Sequence, residues 1–201
     1  MSHESRRLDS VCVYCGSSDA VDPKLLQDAA EVGREFARAG LRLVYGGGGV
    51  GLMGASAGAA HDAGGRVLGV IPSFLIGRER PLTKVETRVV ETMAERKKGL
   101  FDESDAFVVL PGGIGTLEEI VELLSWRRLN LHDKPVVFYS PDGFWDTLFA
   151  LFEHTIATGF TPASFREGYR VVDKPEDVVP ALRAMVAADP VEDVSDAIRL
   201  T

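Results

Sequence analysis

The chain has 201 residues, 45% hydrophobic and 26% charged, and its 22 Lys and Arg against 30 Asp and Glu leave a net charge of −8. That length closes one substantial core without disulfides or metals, and the acidic balance speaks against binding a nucleic-acid polymer, which needs a basic face. No apolar run approaches the roughly 18 residues of a membrane span. Residues 1–9 are polar and lack the apolar stretch of a secretory signal, so the chain is expected in the cytoplasm.

In chain order, a strand at 10–14 precedes a helix at 23–39, a strand at 41–45 a helix at 52–63, and a strand at 66–70 a loop from Pro72 to Pro81. An extended piece at 84–90 and a helix at 93–104 come next. Strands at 106–110, 135–139 and 169–172 then alternate with helices at 116–129, 144–158 and 175–187. The polar tail from Asp189 reads as loosely held. Short, continuously apolar strands separated by helices predict a doubly wound, Rossmann-like α/β fold. Its mostly parallel sheet carries helices on both faces, as one domain with a core at about residues 10–187. In such sheets ligands bind outside the carboxyl ends of the strands.

Three strand exits are rich in glycine: Cys15-Gly16-Ser17-Ser18, the run from Gly46 to Gly51 ahead of Leu52-Met53-Gly54, and Pro111-Gly112-Gly113-Ile114-Gly115-Thr116. A helix follows each, directly for the second and third. Bare backbone N–H groups at helix starts bind anions, so three such exits facing one crevice point to a phosphorylated small ligand. The second exit contains G-x-G-x-x-G from Gly49 to Gly54, but the next strand ends in Gly69-Val70-Ile71-Pro72 without the acid that would hold a dinucleotide's ribose. Neither run carries the Gly-Lys-Ser/Thr of a Walker loop. Cys12 and Cys15 form a C-x-x-C that lies in and just after a buried strand rather than at a helix start, and they read as packing residues. His3, His61, His132 and His154 are scattered, so no metal site is expected.

The helix after the third exit opens Thr116-Leu117-Glu118-Glu119, in which Thr116 as N-cap and Glu119 three residues on make a capping box. At 100° per residue Leu117, Ile120, Val121 and Leu124 share the expected core face, and Glu119 falls opposite, beside Trp126. There it can point past a phosphate toward the sugar, where positive charge develops. The run Met93-Ala94-Glu95-Arg96-Lys97-Lys98 opens the preceding helix. An Arg near a helix start opposes the macrodipole, and an anionic ligand would compensate it.

Pro111-Gly112-Gly113-Ile114-Gly115-Thr116-Leu117-Glu118-Glu119 resembles the P-G-G-x-G-T-x-x-E signature of the LONELY GUY family, cytokinin riboside 5′-monophosphate phosphoribohydrolases often labelled lysine decarboxylases. The resemblance extends to Gly16-Ser17-Ser18, Tyr45-Gly46-Gly47-Gly48, Gly51-Leu52-Met53-Gly54, Arg96-Lys97 and His132-Asp133-Lys134-Pro135, and covers residues 11–186 without departure at these positions. It implies hydrolysis of the N-glycosidic bond of a purine nucleoside 5′-monophosphate, of the cytokinin type or adenosine itself, to free base and ribose 5-phosphate. Arg96 and Glu119 would be catalytic. Gly112, Gly113, Gly115 and Thr116 would hold the 5′-phosphate, with Gly16, Ser17, Ser18, Gly47, Gly48, Lys97 and Met93 on the nucleotide. The resemblance also implies a homodimer and no cofactor. Trp126 and Leu129, off the expected core face, would then be covered by a second subunit or a loop. The competing readings are a non-catalytic nucleotide or molybdenum-cofactor carrier of the same fold, and a pyridoxal phosphate-dependent lysine decarboxylase.

Overall fold

The structure is a computed structural model describing residues 7–188; the expected loose tail and most of the polar N-terminus lie outside the described residues. Among the described residues seven strands form one sheet in the order β4-β3-β2-β1-β5-β6-β7. They are β1 (Ser10–Tyr14), β2 (Arg42–Tyr45), β3 (Val67–Pro72), β4 (Glu86–Val90), β5 (Ala106–Val109), β6 (Val136–Tyr139) and β7 (Arg170–Val172). Every pairing is parallel, so the sheet is wholly rather than mostly parallel. The extended piece at 84–90 is the edge strand β4, with Gly69 opposite Thr87.

Among the described residues seven α-helices accompany the strands: α1 (Pro23–Arg38), α2 (Gly51–Asp62), α3 (Ile76–Glu79), α4 (Met93–Asp102), α5 (Ile114–Arg128), α6 (Asp146–Ala157) and α7 (Val178–Ala187). Asp22 caps α1 by accepting from the Lys24 N–H at 2.8 Å, with Pro23 in the first turn where no N–H is needed. The Pro72-to-Pro81 segment, expected as a loop, holds a 3₁₀ turn, Ser73–Leu75, and the single-turn α3.

Alternate strand residues face opposite layers. Val11, Val13, Leu43 and Tyr45 pack with Val32 and Phe36 of α1, Leu52 and Ala57 of α2, and Leu182 of α7. Cys12, Tyr14, Val44, Phe107 and Val109 pack with Leu100 of α4, Ile120 and Leu123 of α5, and Phe152 of α6. Both free cysteines are thus core residues, one in each layer, and burial pushes both thiols up.

Helices α1 and α2 lie so close that a Cβ on Gly33 would overlap the Ser56 carbonyl. The obstacle is backbone and cannot rotate away. Overpacking costs about 1–3 kcal/mol, partly offset by the roughly 1 kcal/mol that Ala gains over Gly in a helix. Gly33→Ala is therefore expected to lower stability by about 1 kcal/mol, read as a lower urea midpoint at unchanged slope.

Candidate active site

The strand order places β1 between β2 and β5, and the crevice of a doubly wound sheet opens where the order reverses. Gly16 fastens the three glycine-rich exits together there. Its N–H donates to the Pro111 carbonyl at 3.0 Å, and its carbonyl accepts from the Leu52 N–H at 3.0 Å. Asp19 accepts from the Gly51 N–H at 2.7 Å. Gly51 sits at φ 59, and a Cβ there would press on the Ser17–Ser18 backbone.

Over this junction lies a cleft of about 460 Å³, lined by Gly16, Ser17, Ser18, Met93, Arg96, Gly112, Gly113, Gly115, Thr116 and Glu119. Of the expected site residues, Gly47, Gly48 and Lys97 are not on its wall. Gly47 backs onto Ile71 and Gly48 onto Glu79. Lys97 is one helical step from Arg96 and therefore turned aside, with its ammonium 2.7 Å from Glu118 Oε1 and 3.0 Å from Glu122 Oε2.

Helix α5 starts two residues earlier than the sequence suggests, with Gly113 as a cap lacking any side-chain hydrogen bond. Its first internal bond is Leu117 N–H to Gly113 O at 3.0 Å, which leaves the preceding N–H groups of the first turn for a ligand. A Cβ on Gly112 would overlap Thr116, so packing requires that glycine. Gly113 and Gly115 face open space at negative φ or ordinary helix geometry; neither packing nor backbone conformation asks for glycine there.

Because α5 begins early, Thr116 and Glu119 do not form the expected capping box. The T-x-x-E that does cap is Thr92–Glu95: Thr92 accepts from the Glu95 N–H at 3.1 Å, and Glu95 accepts from the Glu91 N–H at 2.8 Å. The core face of α5 is also rotated from the expected one, as Thr116, Glu119, Ile120, Leu123 and Leu124 are buried while Val121 is 48% exposed. Glu119 faces inward. Trp126 is covered within the chain by an edge-on contact with Phe101 at 5.5 Å, whereas Leu129 stays exposed.

Glu119 is 8% exposed, and its Oε1 lies 3.2 Å from Arg96 Nη1 of α4, so the compensating anion for Arg96 is first of all a carboxylate of the same chain. A Cβ on Gly46 would overlap the Arg96 guanidinium, so the second exit is bare where the arginine lies across it. The pair does not exhaust its own polar atoms: Arg96 Nε is buried without a hydrogen-bond partner, and Glu119 Oε1 has the ion-pair contact with Arg96 but no well-aligned hydrogen bond. Burial pushes the Glu119 carboxyl up to about 7 against the opposing pull of Arg96. A carboxyl near 7 beside a phosphate-type helix start is suited to proton transfer at neutral pH.

Sequence reasoning missed Glu79, Leu75 and Phe144, which also line the cleft. Glu79 projects from α3 with its Oε2 buried and unpartnered. No motif surrounds it in the sequence; a short segment between two prolines carries no sign that it folds back over a cleft.

The family described as possible lysine decarboxylase matches residues 53–182. A rice protein (Oryza sativa subsp. japonica) named probable cytokinin riboside 5′-monophosphate phosphoribohydrolase LOGL9 is 44% identical over 186 residues, covering 89% of this chain and 82% of its own. The Arabidopsis thaliana cytokinin riboside 5′-monophosphate phosphoribohydrolase LOG3 is 40% identical over 167 residues, 83% of this chain and 78% of its own. Among solved structures, the molybdenum cofactor binding protein of Rippkaea orientalis has the same fold, with a TM-score of 0.70 at 23% identity over 90% of this chain and 99% of that one. Identity at this level across the folded region, with the cleft-forming segments inside it, makes the chain a member of the LONELY GUY family.

Proposed function

We propose that this chain is an N-glycosyl hydrolase acting on purine nucleoside 5′-monophosphates, AMP or its N6-isopentenyl form, and releasing free base and ribose 5-phosphate. The observation that carries this is the buried Arg96–Glu119 ion pair, with Arg96 Nε left without a hydrogen bond, one turn beyond the bare start of α5. Relatives 40–44% identical and named as phosphoribohydrolases support it. A single domain spanning about residues 10–187 would carry the activity.

The N–H groups of Ile114, Gly115 and Thr116 receive the 5′-phosphate, with Gly113 and Gly115 giving it room to approach the backbone. Glu119 lies three residues past Thr116, about 4.5 Å along the helix, so a ribose held by its phosphate presents C1′ toward the carboxylate. As the bond from C1′ to the base nitrogen breaks, the base leaves with the electron pair and takes up a proton from solvent, which the proton later released by Glu119 restores. The sugar passes through an oxocarbenium-like state. Glu119 as carboxylate stabilises that charge and accepts a proton from the water whose oxygen bonds to C1′. Arg96 orients Glu119 and binds the anionic substrate, and Glu79 Oε2 is placed to accept from a sugar hydroxyl.

Lysine decarboxylation through pyridoxal phosphate would need a lysine amine in the cleft for the Schiff base. Among the described residues no lysine lines it; Lys97 is held by Glu118 and Glu122, and Lys98 by Asp102. The residues do not fit that cofactor. The molybdenum-cofactor proteins share the fold, and a carrier would have no use for a buried carboxyl poised near neutrality.

The experiment is base release from AMP and from N6-isopentenyl-AMP by the wild-type chain and by Glu119→Gln. Release by the first that collapses in the folded second upholds the reading, and binding without cleavage by the wild type overturns it in favour of a carrier.

The two buried free thiols fit a reducing compartment, and we read the cytoplasm as the site of action. No helix among the described residues is long and apolar enough to cross a membrane. A homodimer is supported by the outer stripe of α5, where Ile114 is 83% exposed along with Val121 and Leu129. Light scattering should give twice the chain mass, and Val121→Glu should halve it.

A further inference from the structure

Arg96 and Glu119 belong to different helices, so their separation depends on whatever holds α4 and α5 in register. The helices run back from the cleft, and beyond it their far ends are joined by the turn between α5 and β6. Helix α5 stops sharply: Asn130 takes a left-handed conformation at φ 56, with Asn130 N–H donating to Arg127 O and Leu131 N–H to Trp126 O, both at 3.0 Å. That is the Schellman arrangement with Asn in the usual glycine place. It sends the chain back between the two helices.

The next residues grip both helices. His132 uses both ring nitrogens: Nε2 is 2.9 Å from the Leu123 carbonyl of α5, and Nδ1 accepts from the Lys134 N–H at 3.2 Å. Lys134 sends its ammonium to the Phe101 carbonyl of α4 at 2.7 Å and over the Phe101 ring at 3.8 Å. Its own carbonyl accepts from Arg127 of α5 at 2.8 Å. Phe101 in turn meets His132 and Trp126 edge-on.

We propose that Lys134 and His132 are positioning residues for the proposed hydrolysis, a clamp behind the cleft that sets the spacing of Arg96 on α4 and Glu119 on α5. The inference rests on the reading of that pair as the reacting centre. Phe101 lies five residues beyond Arg96, and Leu123 four beyond Glu119. At 1.5 Å per residue the clamp holds each helix about 6–8 Å from the side chain it positions. A tilt of about 10° there moves that side chain by about 1 Å, enough to cost up to a hundredfold in rate.

The titration of Glu119 reports this spacing without substrate. The charged or titratable groups around it are Arg96 and Lys97 of α4, Glu118 and Glu122 of its own helix, and Cys12, Tyr14 and Cys15 of β1 and its exit. Both cations are on α4. Moving α4 away therefore removes the groups that keep Glu119 from rising further.

The test compares wild type, Lys134→Met and Lys134→Arg by carbon-13 NMR titration of Glu119 in the substrate-free protein, by kcat and KM for base release from AMP, and by melting temperature. Methionine keeps an apolar stem on Phe101 and loses the ammonium; arginine keeps a cation in place. The expected result for Lys134→Met is a raised Glu119 midpoint and a kcat lower by about tenfold to a hundredfold, with KM within about twofold, and return toward wild type in Lys134→Arg. If Lys134→Met fails to fold, Phe101→Leu, which keeps the acceptor carbonyl and loses the ring, carries the same expectation at smaller size. A Glu119 midpoint that stays put or falls in the folded variant overturns the proposal, as does a kcat loss that only tracks the melting temperature. Absence of base release by the wild type would defeat the hydrolase reading instead, and the NMR midpoints would still decide the clamp.

Discussion

Glu119→Gln is expected to lower the rate of base release by about 10²–10⁴-fold, the range for loss of a positioned acid–base group, with KM little changed and the fold intact. Glutamine fills the same space and can still meet Arg96, but it neither takes a proton from water nor faces a developing cation with negative charge. The cost in stability at neutral pH should be small, because the amide mimics the protonated carboxyl that burial already favours. The pH dependence makes this separable. Glu119 is raised from 4.5 to about 7, so the native chain holds that proton more tightly than the unfolded one. The resulting stability is fully present below about pH 4.5 and is lost as pH rises through 7, about 3 kcal/mol in all. Denaturant melts across pH 4–8 should show that loss in the wild type and lack it in Glu119→Gln. Activity runs the opposite way, rising with pH through about 7 as the carboxylate forms. An activity profile flat from pH 5 to 8 would remove Glu119 from the proton-transfer role.

Arg96→Met should be comparably damaging, by about 10²–10³-fold in kcat/KM, the usual loss for one charge-stabilising donor, and it should differ in its pH signature. Without the guanidinium at 3.2 Å the pull that opposes burial is gone, so the acid limb of the activity profile moves above 7 rather than disappearing. Breaking a buried ion pair commonly costs about 3–5 kcal/mol. Here the loss should be smaller at pH 6, where Glu119 escapes as the neutral acid, and should grow toward pH 9. Lysine is no substitute, since its single ammonium cannot span Glu119 and the bare backbone at Gly46 as a planar guanidinium does. Equal stability losses at pH 6 and pH 9 would mean that Arg96 does not govern the Glu119 proton.

Much of the fold was legible because its signals are local. β1 falls at the residues its apolar run marks, and the other strands and long helices differ from expectation by about one to three residues at their ends, as frayed termini do. The anion-binding character of 112–116 was legible too, since glycines between a strand and a helix have a direct backbone consequence. The orientation of α5 was not. Rotation counting assigns apolar residues to the core and carboxylates to solvent, and so chose Val121 over Glu119. A buried carboxyl is tolerable only beside a compensating cation, and that cation comes from α4. The capping box failed for a related reason: T-x-x-E occurs at Thr92–Glu95 and at Thr116–Glu119, and the helix starts, not the spacing, decide which one caps.

By itself, then, the sequence determined a chain of alternating strands and helices and glycine-rich strand exits at the sheet's carboxyl edge, and its resemblance to a known family singled out Arg96 and Glu119 as candidates. Tertiary structure alone decided that the two meet at 3.2 Å in a buried pair, that Lys97 beside Arg96 turns away to Glu118 and Glu122, and that Glu79 folds in from α3. The division follows from range. Backbone conformation is set by neighbours a few residues apart, whereas the charge state of a carboxyl depends on the solvent it loses and the ions brought near it, and packing of distant segments sets both.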